Sequence, residues 1–303
     1  MTALLSMEDV CLSFKDKRVL DHLTFRVMRG ECFGFLGPSG AGKTTTIKLL
    51  TRQLVKDTGR IALFGRPIEH ATSADYERIG ILSDTSALYE RMTIEENLRF
   101  YAKIRGVTGN NIPTLLERMN LARDRRTLIK NCSKGMRQRA AILAALVHGP
   151  ELLFLDEPTS GLDPAARAEV HKMLRELNEA GTTVFLTTHD MAEADELCDR
   201  IGILNDGRLI ADDAPAALKL RFARNEVIVR VRDDAAVAGG SPNATTGAST
   251  NASAPAVRTI RTTKDAAGAP VILRALQDGT CLSIHSVEPN LEEVFLELAG
   301  REF

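Results

Sequence analysis

The stretch GPSGAGKTT, residues 37 to 45, decides the fold. It follows the apolar run FGFL and precedes a helical pattern, so the motif G-x-x-x-x-G-K-[ST] lies in the strand-to-helix context that it requires. Its three glycines let successive backbone N–H groups turn inward toward phosphate oxygens, at the positive end of the helix. Lys43 can reach the β- and γ-phosphates of a nucleotide, and the Thr44 hydroxyl can bind Mg²⁺. The alternative, a glycine-rich turn without a ligand, is disfavoured by this context.

The stretch LLFLDE, residues 152 to 157, supplies the second half of such a site. Its four apolar residues predict a central strand, so Asp156 emerges at the carboxyl end of the strand, beside the nucleotide. There Asp156 can hold Mg²⁺ or a water of its shell, and Glu157 is placed to polarise an attacking water. His189 ends another core strand, TTVFLTTH, where it can contact the γ-phosphate. Surface carboxylates and a lone histidine are the alternatives, which the neighbouring phosphate loop disfavours.

The composition is that of an ordinary globular protein with a balanced charge. Of its 303 residues, 44% are hydrophobic and 26% are charged, and 39 Lys and Arg nearly balance 40 Asp and Glu. This balance argues against a nucleic-acid binder that depends on bulk positive charge. No apolar run approaches the roughly 18 residues of a membrane span, and the start does not resemble a signal peptide. The five cysteines are scattered without a C-x-x-C pair, so we expect neither disulfides nor a zinc site, and a cytosolic chain.

Short apolar strands alternate with amphipathic helices up to about residue 221, which predicts an α/β domain with a largely parallel sheet. The sequence RIGILN-DG-RLIA predicts a hairpin, because its turn requires positive φ angles. Helical patterns dominate from about 85 to 150, and we interpret this segment as a helical insertion. We therefore expect one domain over 1–221 and a C-terminal accessory domain over 222–303.

The C-terminal segment has a different composition. Residues 233 to 257 are rich in Ala, Gly, Ser, Thr and Asn and predict a flexible insert. EVIVRVR before it and CLSIHSV after it predict strands. The final pattern NLEEVFLEL predicts an amphipathic helix, with Asn290 and Glu293 as a capping box. The tail is thus predicted to be a small α+β unit.

Four motifs in order, GPSGAGKTT, NCSKGMRQR, LLFLDEPTSGLD and TTHD, resemble the nucleotide-binding subunit of an ATP-binding cassette (ABC) transporter over about the first 220 residues. The resemblance implies a Walker B strand ending at Asp156, Glu157 as the catalytic glutamate, Asp163 as the D-loop aspartate and His189 as the switch histidine. It also implies that Phe14 stacks on adenine, although core packing is an alternative. The Walker A contacts to ATP would be Gly37, Pro38, Ser39, Gly40, Ala41, Gly42, Lys43, Thr44 and Thr45.

In this family, NCSKGMRQR corresponds to the signature element, which binds the γ-phosphate of the nucleotide held by the other subunit. Ser133, Lys134 and Gly135 would then act in trans, together with Asp163. An uncapped helix tip with glycine is also an anion site on physical grounds, whereas spacing alone favours a plain helix capped by Ser133. The usual Leu-Ser-Gly-Gly-Gln is altered here, since Met136 removes a capping box and Lys134 adds positive charge.

Two further residues bear on the resemblance. The family's glutamine that touches Mg²⁺ and senses the membrane partner is replaced by Asp84, which is shorter and charged, so its role as a metal ligand stays open. The segment that follows it would lie where the family docks its transmembrane partner. Asp163-Pro164 can also be read as the N-cap and first residue of the next helix, a role compatible with an interface.

The predicted fold class is therefore α/β: a P-loop NTPase core with a largely parallel sheet, an antiparallel β subdomain, a helical insertion and a small C-terminal α+β domain. The resemblance implies an ATPase in which two copies, as a homodimer or heterodimer, bind two ATP·Mg²⁺ head to tail and drive a separate transmembrane permease. It would lie at the cytoplasmic face of the membrane as a peripheral subunit. The tail SVEPNLEEVFLELAG resembles ABC-2-type exporters of drugs, peptides or lipids. The alternative is a non-transport or regulatory ABC-type ATPase with weak turnover, and no nucleic-acid partner is expected.

Overall fold

The computed structural model describes residues 3–83, 88–107, 111–232 and 257–300. It divides into two compact units, one formed by Met1–Ala217 with Phe295–Phe303 and the other by Leu218–Val294. Helices α8 (Pro215–Arg221) and α10 (Leu291–Ala299) cross this division. No helix among the described residues is long and apolar enough to cross a membrane.

A six-stranded sheet forms the centre of the first unit. Its inner strands are buried along nearly their whole length, as expected for a sheet covered on both faces. Five strands are parallel and the sixth, at one edge, is antiparallel, so the predicted α/β core is confirmed. In spatial order the strands are β10 (Arg208–Asp213), β9 (Arg200–Asn205), β3 (Cys32–Leu36), β8 (Thr183–Thr188), β7 (Leu152–Asp156) and β6 (Ile79–Leu82).

A second, antiparallel sheet packs into the same core. It contains, in spatial order, β2 (Lys17–Met28), β1 (Ala3–Phe14), β4 (Thr58–Leu63) and β5 (Arg66–Pro67). The rings of Phe25, from this sheet, and Phe33, from the central sheet, stack with centroids 5.5 Å apart. Burial of such aromatic rings is a large favourable contribution, and it joins the two sheets around one core.

The predicted hairpin after RIGILN is present as β9 and β10. Its two turn residues, Asp206 and Gly207, both have positive φ, 46° and 77°. This is the requirement of a two-residue hairpin turn whose twist matches that of the strands.

Helices surround the central sheet, and within the described residues only helical elements and one isolated β-bridge lie between β6 and β7. The helix α3 (Ile94–Ile104) begins with a capping box in which Thr93 and Glu96 exchange hydrogen bonds. The helices of this unit are α1 (Lys43–Leu50), α2 (Ser73–Glu77), α3 (Ile94–Ile104), α4 (Ile112–Arg118), α5 (Lys134–Leu146), α6 (Pro164–Glu179) and α7 (Met191–Leu197), with short 3₁₀ helices at Ile68–His70 and Ile129–Asn131.

The second unit is an antiparallel sheet of three strands, β12 (Val257–Thr263), β11 (Glu226–Arg232) and β13 (Cys281–Ser286), with helix α9 (Ala269–Gln277) on one face. The valines of β11 form its small core with Ala275. Strands β11 and β13 and the α10 capping box between Asn290 and Glu293 were predicted, whereas β12 and α9 were not. Residues 233–256 of the predicted insert lie outside the described residues.

Candidate nucleotide site

The phosphate loop connects the buried strand β3 to helix α1, as its motif predicts. Gly42 is the N-cap of α1 with φ 114°, and no side chain caps the helix. A Cβ at Gly42 would lie 2.7 Å from Cδ2 of Leu20, so the position has room only for glycine. Gly40 also has positive φ, 84°. The loop therefore presents bare backbone at the positive end of a helix, which is the geometry of an anion site.

Lys43 lies inside the loop rather than in solvent. Its ammonium group donates hydrogen bonds to the carbonyl oxygens of Gly37, at 2.6 Å, and Pro38, at 3.2 Å. It also lies 3.7 Å from Oε1 of Glu157. Burial lowers the pKa of Lys43, and the charges of Glu157 and Asp156 oppose this shift. The ammonium group is thus already held beside the groups that would surround a phosphate.

Asp156 and Thr44 meet between β7 and α1. The Thr44 hydroxyl donates to Oδ2 of Asp156 at 2.8 Å, and the Thr187 hydroxyl donates to the other carboxylate oxygen. Hydroxyl and carboxylate oxygens are the ligands that Mg²⁺ prefers, so this donor set fits that ion. Thr187 was missed by the sequence analysis. The signal that could have found it is the strand register, in which Thr187 lies opposite Asp156.

Glu157 and His189 are brought together at the ends of neighbouring strands. Nδ1 of His189 and Oε2 of Glu157 are 2.8 Å apart. Glu157 has φ 50°, an uncommon conformation for a non-glycine residue and one that the Glu157 N–H bond to the Thr187 carbonyl helps to hold. Of the three residues predicted as catalytic, Glu157 and His189 thus form one hydrogen-bonded pair next to the third, Lys43.

The tip of α5 does not have the uncapped geometry considered from the sequence. Ser133 is its N-cap, and the Ser133 hydroxyl accepts a hydrogen bond from the Met136 N–H at 3.2 Å. The plain capping interpretation is therefore correct as a description of this chain. Met136 offers no side-chain acceptor for the reciprocal bond, because its thioether replaces an amide or carboxylate.

The α5 tip lies against the loop that follows Glu157. A Cβ at Gly135 would be 3.9 Å from Oδ2 of Asp163 and 4.0 Å from Oγ of Ser133. Asp163 caps α6 by accepting the Ala166 N–H at 2.9 Å, as predicted. Ser133, Gly135 and Asp163 thus form one group. Among the described residues no hydrogen bond links this group to the phosphate loop.

Lys134 extends over the same loop. A Cβ at Gly161 would lie 2.0 Å from Nζ of Lys134, the far end of a flexible side chain that can shift, so it is the positive φ of 67° that favours glycine there. The Lys134 side chain is exposed. The positive charge that the sequence analysis associated with phosphate therefore lies above the 158–163 loop of its own chain.

Two other predicted residues have different outcomes. Phe14 ends β1 with 46% of its surface exposed, so core packing does not describe it, and stacking on adenine stays a prediction. Asp84 lies outside the described residues. Of the remaining predicted residues, Ser39 is exposed, and Thr45 and Pro38 are half-buried.

A possible cation site of Cys11, Asp21 and His22 occurs in the antiparallel sheet, away from the predicted motifs. Asp21 is already paired there with Arg18, at 2.7 Å, and with Arg208, at 2.5 Å. The Arg18 and Arg208 hydrogen bonds hold the pKa of Asp21 below its ordinary value. Because two guanidinium groups neutralise this carboxylate, the cluster does not suit a divalent cation.

Comparisons with known proteins agree with this geometry. A protein-family model described as "ABC transporter" matches residues 20–160. The chain is 40% identical to a fluoroquinolones export ATP-binding protein of Mycobacterium tuberculosis, over 92% of this chain and 87% of that protein. It is 36% identical to a Nod factor export ATP-binding protein of Paraburkholderia xenovorans, over 99% of this chain and 98% of that protein. A solved ATP-binding subunit of an ABC transporter matches with a TM-score of 0.66 and 32% identity, over 72% of this chain and 93% of that one.

The similarity extends over nearly the whole length of these relatives, and it includes the loop, strand and helix that form the nucleotide site. The chain therefore belongs to the ABC transporter family as an ATP-binding subunit, and its enzymatic activity is ATP hydrolysis.

Proposed function

We propose that this chain energises an exporter: it binds and hydrolyses ATP on the cytoplasmic face of the membrane and drives a permease carried on a separate chain. The observation that carries the proposal is the extent of the similarity to export proteins. The two relatives described above are named for export, and they match 92% and 99% of this chain, which includes the C-terminal unit. The cargo class we propose is a drug, peptide or lipid.

In the proposed mechanism, the amides of the phosphate loop and the Lys43 ammonium bind the β- and γ-phosphates. Thr44 and Asp156 would hold Mg²⁺, which supplies positive charge to neutralise the phosphate oxygens. Thr187 fixes the Asp156 carboxylate by donating to its other oxygen. The positive charge around the transferred phosphoryl group then stabilises the transition state.

Glu157 is the group that orients the attacking water and accepts its proton. Its carboxylate has one oxygen 2.8 Å from Nδ1 of His189 and the other 3.7 Å from Nζ of Lys43. These two contacts fix its direction at the end of β7. When the Lys43 ammonium group moves to a bound phosphate, Oε1 of Glu157 no longer has this neighbour and can accept a hydrogen bond from water.

The α5 tip would complete the site of a second copy. Ser133, Lys134 and Gly135 lie together with Asp163 at one face of this chain, and their arrangement offers a hydroxyl, a helix terminus and an ammonium group to a phosphate. We propose a head-to-tail dimer in which each nucleotide lies between one copy's phosphate loop and the other copy's α5 tip. Opening of this dimer after hydrolysis would move the permease.

The test is the variant Glu157→Gln, which keeps the shape of the side chain but removes its base. With ATP and Mg²⁺, we expect its hydrolysis rate to fall by at least about 100-fold and a stable dimer to appear in gel filtration with light scattering. The matched control is the same variant with ADP in place of ATP, which should elute as a monomer. A variant that stays monomeric with ATP would contradict the dimer. Separately, failure of the tagged chain to co-purify with any membrane subunit from native membranes would contradict the permease assignment.

A further inference from the structure

A buried polar group connects the two loops that carry the catalytic pair. Its centre is Glu193 on α7, whose side chain is about 1% exposed. One oxygen of this carboxylate accepts the Thr159 hydroxyl at 2.6 Å and lies 3.3 Å from Nε2 of His171 on α6. Thr159 and His171 are themselves 2% and 3% exposed. A buried carboxylate is costly unless it is paired and hydrogen-bonded, and here one atom receives both partners.

The positions of Thr159 and Glu193 in the chain connect this buried group to Glu157 and His189. Thr159 follows Glu157 by two residues, and Glu193 follows His189 by four. Glu157 and His189 are in turn hydrogen-bonded to each other. The backbone segments and the two hydrogen bonds therefore form a closed ring. A shift of the 158–163 loop relative to α7 would change the direction of the Glu157 carboxylate relative to His189.

Further contacts support the ring from outside. The second nitrogen of His171 lies 3.0 Å from the Glu196 carboxylate, which also pairs with Arg175. Asp190 caps α7 through the Ala192 and Glu193 N–H groups, so the start of α7 is fixed directly after His189. On the opposite side, Gln138 of α5 donates to the Pro158 carbonyl at 2.8 Å. The loop is thus held between the helix of the signature element and the helix that follows His189.

We propose that Glu193, held by His171, is a positioning residue for ATP hydrolysis: by fixing Thr159 it sets the orientation of Glu157. This inference rests on the ATPase activity of the family and not on the direction of transport or the cargo. Glu193 and His171 touch no reacting atom in this scheme. Their effect passes through the loop, so it changes the rate of the chemical step more than the binding of ATP.

The first experiment compares Thr159→Val with Thr159→Ser in the full chain. Valine keeps the volume of threonine but cannot donate, whereas serine keeps the donor. We expect kcat of Thr159→Val to fall by about tenfold with KM for ATP unchanged, because the oriented base is displaced while the phosphate loop is intact. Tm should fall by a few degrees, because the buried Glu193 carboxylate loses one of its two partners. Thr159→Ser should stay within about twofold of the wild type, and Lys172→Ala, an exposed change on α6, serves as the control.

The possible results of this experiment either support or overturn the positioning role of Glu193. Wild-type kcat in Thr159→Val would overturn it, and so would equal losses of kcat in the valine and serine variants, because the hydrogen bond would then not be the cause. If Thr159→Val does not fold, Glu193→Gln replaces it: a loss of kcat with unchanged KM supports the inference, and an unchanged kcat overturns it. A wild-type chain without ATPase activity would instead contradict the family assignment.

Discussion

The N-termini of α1 and α5 are both helix tips that the sequence associates with phosphate, but they are built differently. The tip of α1 has Gly42 as its N-cap, with no side-chain acceptor on its amides. The tip of α5 has Ser133, whose hydroxyl accepts the Met136 N–H. The first tip therefore depends on an external anion to satisfy it, whereas the second is partly satisfied by its own side chain.

The residues next to the two tips differ as well: those at α1 can form a complete site, and those at α5 cannot. The α1 tip adjoins Lys43, Asp156 and Glu157, so one chain supplies the groups that we propose for binding phosphate, metal and water. The α5 tip adjoins Asp163, Ala166 and, through Lys134, Gly161, which we propose supply part of a site. The comparison teaches that a helix tip identified from glycine spacing can be either a complete anion site or half of one. The neighbouring residues decide which.

The largest expected effect on ATP affinity comes from closing the α1 tip with Gly42→Ala. The added Cβ meets Leu20 and forces the N-cap from its φ of 114°, so the loop can no longer direct its amides at phosphate. We expect ATP binding to weaken by about 100-fold, equivalent to one hydrogen bond to a charged group at about 1.5–3 kcal/mol. Titration with a fluorescent ATP analogue measures this.

The matched control is Gly65→Ala, which introduces the same kind of backbone strain at φ 77° with no atom within 4 Å of the new Cβ. Both variants should lose stability by about 1 kcal/mol from this strain. Equal ATP affinity in the two variants would show that the α1 tip is not a dedicated phosphate site.

The second effect distinguishes the roles of the α5 tip. Ser133→Arg fills the face beside Gly135 and should reduce hydrolysis by at least about 100-fold while ATP binding to the single chain stays within about twofold. Ser133→Ala removes only the cap and should cost about 1 kcal/mol in the free energy of unfolding. ATPase assays, nucleotide titration and urea unfolding give the three quantities. Equal loss of ATP binding and hydrolysis in Ser133→Arg would mean that the tip has a purely structural role.

The smallest effect concerns the buried group that holds the 158–163 loop, in which His171 pairs with Glu193. Burial lowers the pKa of His171, but the hydrogen bonds and charges of Glu193 and Glu196 outweigh it, so the pKa rises above its ordinary value of 6.5. The folded state thus binds this proton more tightly than the unfolded state. The resulting stability is fully present below pH 6.5 and is lost as the pH rises through the raised pKa.

This pH dependence is checked by comparing the wild type with His171→Gln. The difference in their free energies of unfolding should be largest at pH 6 and should shrink as the pH rises through the raised pKa of His171. A difference that is constant with pH would show that His171 does not titrate with folding.

The sequence predicted those parts of the molecule that depend on local spacing. The phosphate loop, the strand ending at Asp156, the Asn290 capping box and the β9–β10 hairpin each require particular residues a few positions apart, and the structure contains them. The positions of Glu157 and His189 at the ends of core strands were also predicted, whereas their hydrogen bond to each other was not.

The remaining features depend on contacts between distant segments. Thr187 binds Asp156 through strand register, and Glu193 binds Thr159 between α7 and a loop 34 residues away in sequence. No local pattern encodes either contact. The Ser133 cap on α5 was predicted only as an alternative, because the family resemblance implies a phosphate contact in trans for the same serine.

The central claim is that the α5 tip completes the α1 site of another copy, and a mixing experiment tests it directly. Lys43→Ala disables the phosphate loop and Ser133→Arg disables the α5 tip, so each variant alone should be inactive. Mixed dimers would contain one site with an intact Lys43 from one copy and an intact Ser133 from the other. We predict that the mixture regains up to about one quarter of the wild-type ATPase rate, since about half of the dimers are mixed and each has one intact site.

A mixture of Lys43→Ala with Glu157→Gln is the control and should stay inactive, because both residues belong to the same half of the site. Recovery of ATPase activity in the first mixture and not in the second is the result that the account predicts. Inactivity of both mixtures, with dimers present by light scattering, would contradict it.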